Sequence, residues 1–373
     1  MTERWRTRAR PMIARLLDPT VVASFLASRL ILILAAFAAE TLIPRNPALT
    51  SGDTAPILRS LTSWDGWYFL GIAREGYHAS AVAGQYHDYA FLPLYPGLVA
   101  ALSFPWPQFA GLVAVIVANV ATLVALLLLV PLGEPLLGRR RASAAAAALT
   151  VWPFAPALGM AYSDGLFLAL VVGAFLAAEQ DRRFWVGLLL GLACLTRFQG
   201  IPLILPLWLI ELRRDGWRPR PSQAWLLLGP LAAAGFLASI ALVSGSATAY
   251  LDAQTAWGRN GIGGSGPTET IAASISAYQV ALIAALCWAV FLLVFVRRDR
   301  LPLPYALVPI LFLGAELSSG SLEAVGRVTM ASFPYVWLIA RRRSILATRV
   351  WPIVSVGLFA LIAVLSFGGY WVP

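Results

Sequence analysis

An all-α polytopic membrane protein is the fold class this sequence predicts, and three observations predict it. Of 373 residues, 59% are hydrophobic and only 12% charged, about half the charge of a soluble domain. The apolar residues fall in runs near the ~20 residues that a spanning helix needs. Every basic residue is arginine, and the arginines sit in short clusters between those runs. A net charge of +10 can signal nucleic acid, but here its distribution fits membrane topology instead.

About eleven spans can be placed. The basic segment 1–18 has no small-residue cleavage site and reads as a cytoplasmic tail. Residues 19–372 then form one membrane domain. The first span covers about 19–43 and contains Arg29. A long loop, 44–92, follows. The segment 93–131 is too long for one crossing, so an interfacial piece precedes a true span near 108–131. The third span, about 143–160, ends in VWPFAPALG, where proline and glycine should unwind it. Spans follow at about 165–179, 184–196, 200–211 and 224–243. A second polar loop, 244–270, leads to spans at about 271–296, 302–317, 328–340 and 350–370. Cys194 and Cys287 lie in apolar runs and read as small buried residues, not a disulfide or metal pair.

With the N-terminus inside, the tail and alternate loops hold 21 of the 28 arginines. That asymmetry orients the chain by the positive-inside rule. Loops 44–92 and 244–270 are then extracytoplasmic, as are AYSDG, TRFQG and SSGSLEAVGR. The arginine runs on the inner side read as topology signals and contacts for anionic membrane lipid.

Two constellations can carry chemistry. The first is loop 44–92, whose aromatic and aliphatic residues recur at helical spacing, as in amphipathic helices lying in the headgroup layer. Asp65 stands there between Trp64 and Trp67, and it fits either a helix N-cap or a general base. Trp64, Trp67, Tyr68 and Tyr77 offer faces for a sugar or acceptor, although interfacial tryptophans alone are a belt signal. His78, His87 and Asp88 follow. Their spacing matches no metal pattern, so no metal or other cofactor is assigned.

The second constellation is a set of charges at outer helix ends: Asp164, Arg197, Arg259 and Arg327, with Arg29 deeper in the first span. Charges at membrane depth are costly, and they line cavities or pair with one another. Several arginines with few acids point to an anion site, such as a lipid phosphate. Arg–carboxylate or Arg–carbonyl ties between helices explain the same residues structurally. The glycine-rich NGIGGSGPT at 260–268 lacks a preceding strand and a GK[ST] ending, so it reads as a loop.

The motifs taken in series resemble those of the PIG-V-type mannosyltransferases. WDGWYFLGIAREGY at 64–77 followed by YAFLPLYPGLVAAL is similar to that family's WD…FFPLYP signature. YSDGLF at 162–167 and TRFQGIPL at 196–203 look like its YSE/YSD and TR.NG motifs. SRL at 28–30 and GRVTMASFP at 326–334 resemble its first-helix arginine and late R…FP stretch. Leu92 in FLPLYP and Gln199 in TRFQG depart from the usual Phe and Asn. The resemblance implies a GT-C fold and a polyprenyl-phosphate sugar donor, commonly mannose. It also implies transfer on the extracytoplasmic face to a lipid or glycan acceptor of the cell envelope. It assigns Asp65 as catalytic base, Asp164 to the second motif, and Arg197 and Arg327 to basic positions. A lone base predicts inversion at the sugar carbon, whereas retention would need a close carboxylate pair, for which Asp65 with Asp88 stays open. The residues alone also fit a transporter or flippase for a lipid-linked or anionic solute, which would show inverted repeats; none is evident.

Overall fold

The computed structural model describes residues 17–44, 55–78, 87–256, 301–319, 325–342 and 344–370. All regular structure among them is helical. Helix α1 (Pro19–Thr41) is followed by two short helices, α2 (Pro56–Leu61) and α3 (Asp65–Glu75), and then by α4 (Leu94–Ser103). Next come α5 (Ala110–Leu137), α6 (Arg139–Thr150), α7 (Asp164–Glu179), α8 (Arg183–Cys194) and α9 (Ile204–Arg214). Helices α10 (Leu228–Ser244), α11 (Ala249–Ala256), α12 (Leu303–Ser319), α13 (Val325–Ala331), α14 (Pro334–Arg341) and α15 (Trp351–Phe367) complete the described chain.

Four described helical segments are long and apolar enough to cross a membrane: Pro19–Thr41, Pro107–Leu137, Pro221–Ser244 and Leu346–Phe367. Their outward faces carry Leu30, Phe37, Leu231, Leu242, Ile353 and Leu361, all exposed. Lipid tails are the solvent that suits such faces. The expected span at 271–296 lies outside the described residues.

Other spans are shorter than expected or broken, for readable reasons. The third ends at Thr150, ahead of the prolines, and Ala155–Leu158 forms a 3-10 turn. The span at 328–340 is two helices, because Pro334 opens a new one and cannot extend the old. The second polar loop is partly helical, in α11.

Asp18 fixes the entry of α1. Its carboxylate accepts the N–H of Thr20 at 3.1 Å and takes Ser143 Oγ at 2.6 Å and Arg139 Nη2 at 3.2 Å, tying α1 to α6. At the centre lies α7, buried along almost its whole length. Gly165 lets it press on α5: an added Cβ would stand 2.6 Å from Ala118 O. Close backbone approach through small residues is the usual way helices pack in lipid. Cys194 is free and fully buried.

Helix lengths set the depth of the charges at their far ends. At one end of α7, α8 and α9 is a polar network: Arg183 meets Asp215 at 2.7 Å, and Arg214 meets Asp181 at 3.3 Å. From that edge α7 rises about 24 Å and α8 about 18 Å, short of the ~30 Å hydrocarbon thickness. Asp164 and the turn bearing Arg197 stand at their far ends.

Candidate active site

Among the described residues, four charges from four segments meet there. Asp65 opens α3, Asp164 opens α7, Arg197 stands in extended backbone just after α8, and Arg327 lies in α13. Arg327 Nη1 donates to Asp65 Oδ2 at 2.5 Å, and its Nε is 3.8 Å from Asp164 Oδ1. Arg197 Nη2 donates to Asp164 Oδ2 at 2.9 Å and its Nε to Ser163 Oγ at 3.2 Å. The result is an alternating ladder, Asp65–Arg327–Asp164–Arg197. Its side chains keep only 19%, 17%, 6% and 13% exposure in that order. Removing one member would strand a buried charge, at about 3–5 kcal/mol. Each acid also sits at a helix N-terminus, where the macrodipole favours a negative charge. The Tyr162 ring lies beneath the Arg327 guanidinium, 5.3 Å away, and adds a cation–π contact.

Two sequence expectations are corrected here. Asp65 is not an N-cap: Trp64 holds that place, and the Asp65 side chain goes to Arg327 instead. The surplus of arginine over acid does not hold at this cluster, where two arginines meet two carboxylates.

Trp64 carries an unusual backbone, φ 59° and ψ −127°. For a residue with a Cβ, such a conformation costs about 1–3 kcal/mol and persists only where its surroundings impose it. Its indole Nε1 donates to Ser366 O at 2.8 Å, at the end of α15. Gly66, next to Asp65, packs against Ala161, with an added Cβ only 3.5 Å from Ala161 Cβ.

The other singled-out residues fall elsewhere. Trp67 is 60% exposed on the outer face of α3. Tyr68 stacks on Phe91 at 5.0 Å, and Tyr77 Oη donates to Phe91 O at 2.7 Å. These two tyrosines brace the returning chain against α3. His78, His87 and Asp88 form a second cluster. Asp88 Oδ2 accepts His78 N–H at 2.9 Å and meets His78 Nδ1 at 3.0 Å, while Oδ1 is 2.6 Å from His87 Nδ1. The Asp88 hydrogen bond and charge raise the His78 imidazole above its ordinary value, helped by Glu75. Burial, then the Asp88 charge, pushes the Tyr77 phenol up. The two clusters stand at opposite ends of α3, about 16 Å apart along its axis. Among the described residues, no group of three or more His, Cys, Asp or Glu has a metal-holding arrangement.

Arg29 is placed apart from the ladder. Its Nη2 donates to Leu158 O at 3.3 Å, and its guanidinium lies 4.4 Å from the Phe25 ring centre. That is the arginine–carbonyl tie between helices. Arg259 lies outside the described residues. Glu316, which no motif singled out, is buried and accepts Gln199 Nε2 at 3.1 Å, two residues from Arg197. An acid within an apolar run was the signal that could have found it.

Among the described residues, an all-α bundle with four helical segments long and apolar enough to cross a membrane surrounds this charged ladder. Among solved structures, the chain is similar to ArnT from Cupriavidus metallidurans, whose crystal structure is described as bound to undecaprenyl phosphate. The TM-score is 0.55, with 11% identity, over 93% of this chain and 76% of that one. At that identity the likeness is one of fold. No family model and no curated protein matches the sequence.

Proposed function

We propose that this protein is a membrane glycosyltransferase. It moves a hexose, mannose first among the candidates, from a polyprenyl-phosphate donor to an acceptor hydroxyl on the extracytoplasmic face. The observation that carries this reading is the ladder itself: two arginines and two acids, mostly buried, paired inside an apolar helical bundle that a lipid-linked phosphate could enter. The fold shared with a protein crystallised on undecaprenyl phosphate supports it. So does the motif series that resembles the PIG-V-type mannosyltransferases.

The chemistry follows from the pairing. With no donor present, the carboxylates hold the guanidinium groups. A donor phosphodiester, with one negative charge and two non-bridging oxygens, can take the place of a carboxylate on Arg327 and Arg197, and it gains a second charge only as the C1–O bond breaks. Once it takes Arg327, Asp65 is free to accept the proton of the acceptor hydroxyl. That oxygen bonds to the sugar C1 as the C1–O bond to phosphate breaks. The electron pair leaves on the phosphate, and the arginines stabilise the developing charge. Phosphate is a stable anion, so no strong acid is needed. Direct displacement inverts C1. The apolar faces hold the polyprenyl chain. In this scheme Trp67, Tyr77, His78, His87 and Asp88 are the candidates for the acceptor side, and Arg259, outside the described residues, is a further candidate for the phosphate grip.

The test is transfer by protein reconstituted in liposomes, given polyprenyl-phosphate mannose, glucose and arabinose with extracted envelope acceptors. Mannose moved to an acceptor with inversion is expected. Movement of the intact donor between leaflets without transfer would instead establish a flippase.

A further inference from the structure

Trp64 is built into the turn before Asp65 in a way that a sugar platform would not require. Its backbone sits where residues with a Cβ rarely go, and its indole N–H is committed to Ser366 O, 302 positions away in sequence. Ser366 O, near the end of α15, already accepts Gly369 N–H at 3.1 Å, and a carbonyl oxygen has a second lone pair for the indole. From the other side, Ala161 N–H donates to Leu61 O at 2.8 Å, and Gly66 lies against Ala161. Ser63 O receives Gly66 N–H at 3.1 Å, and Trp64 O receives Trp67 N–H at 3.0 Å. The turn 62–66 is thus clamped between the segment leading to Asp164 and the end of the last helix. Asp65 leaves this clamp pointing at Arg327.

We infer that Trp64 is a positioning residue: its tie to the end of α15 holds Asp65 in the geometry that proton transfer needs. This rests on the reading of Asp65 as the base. A displacement of about 1 Å can cost about 100-fold in rate, so a clamp on the residue next to a base acts on turnover rather than on donor binding. The strained backbone is the cost of that placement, and the indole hydrogen bond is one of the contacts that impose it.

The experiment replaces Trp64 by 3-benzothienylalanine, which keeps the bicyclic shape and loses the N–H, alongside Trp64→Phe and Trp64→Gly. Glycine accepts the backbone conformation without strain but has no tie. Two readouts are taken on folded, reconstituted protein. Hydrogen exchange of amides 65–70 is expected to speed up by about tenfold or more in all three variants. The kcat for transfer is expected to fall about 10- to 100-fold, with donor Kd within twofold of wild type. Combined with Asp65→Asn, the benzothienyl replacement is expected to lower kcat no further, since it acts through Asp65. Unchanged exchange, unchanged kcat, or a further loss on top of Asp65→Asn each overturns the proposal. Wild-type turnover in Asp65→Asn alone would remove the base and the catalytic half of the inference. The exchange readout would still decide whether the tie holds the turn.

Discussion

The two edges of this membrane domain are built from the same residue types, yet they do different things with them. At the arginine-rich edge, Arg183, Arg214, Arg220, Asp181 and Asp215 share partners with Gln223 and Ser222, so each charge has several neighbours. Asp181 is 52% exposed there, and water screens what the protein leaves unpaired. At the other edge, Asp65, Arg327, Asp164 and Arg197 are mostly buried, joined in single file, and set beside a strained Trp64. Pairing is common to both clusters. Neither burial nor backbone strain alone separates them, since Asp215 is 5% exposed and Asp181 itself has a φ of 62°; the candidate site is set apart by acids and arginines that alternate across four segments of the bundle. Where arginines and carboxylates alternate, an incoming anion can change who holds whom.

That contrast can be broken by substitution. The largest effect is expected at Arg327. Arg327→Gln should lower kcat/KM for transfer by about 100- to 1,000-fold, the scale for losing one donor to a developing oxyanion. It should also cost about 3–5 kcal/mol of stability by stranding the Asp65 carboxylate, since Asp164 keeps Arg197. A urea series on reconstituted protein and a transfer assay read both. Next comes Gly165→Ala, which places a Cβ 2.6 Å from Ala118 O. Overpacking of that kind costs about 1–3 kcal/mol, read as a lowered melting temperature. At the opposite edge, Arg214→Gln removes a partly exposed pair and should cost less than about 1 kcal/mol, with transfer unchanged. A loss of activity there as large as at Arg327 would erase the distinction.

The smallest effect concerns the His78–Asp88 cluster. Asp88 raises the His78 imidazole above the ordinary ~6.5. Whatever this pair contributes to holding the 78–88 junction is therefore full below about pH 6.5 and lost as pH rises through the raised value. Histidine titration by NMR should place His78 above a free histidine, and Asp88→Asn should bring it down. An unchanged titration in Asp88→Asn would remove Asp88 as the cause.

Much of the site was legible in the sequence because charge at membrane depth is expensive and stands out. Asp164, Arg197 and Arg327 were visible as charges at the ends of apolar runs, and Asp65 as an acid in an aromatic loop. What the sequence did not disclose was who pairs with whom. Nothing local says that Arg327 reaches back 262 positions to Asp65, while Arg29 settles on a backbone carbonyl. The aromatic residues were equally ambiguous: one stripe holds an exposed face at Trp67, a brace at Tyr68 and a tether at Trp64. The fold class followed from hydropathy alone, but the short helices did not. Proline at 334 and the proline-rich stretch after Thr150 cut helices in the middle of apolar runs.

The central claim is that Asp65 takes the acceptor proton once the donor phosphate has drawn Arg327 away. Its most direct test is single-turnover transfer from polyprenyl-phosphate mannose by Asp65→Asn, with donor affinity measured on the same preparation. The account predicts a rate lower by about 100- to 10,000-fold with donor affinity equal to or above wild type, since Arg327 loses its competing carboxylate. Transfer at the wild-type rate, or a loss explained wholly by weaker donor binding, would contradict it.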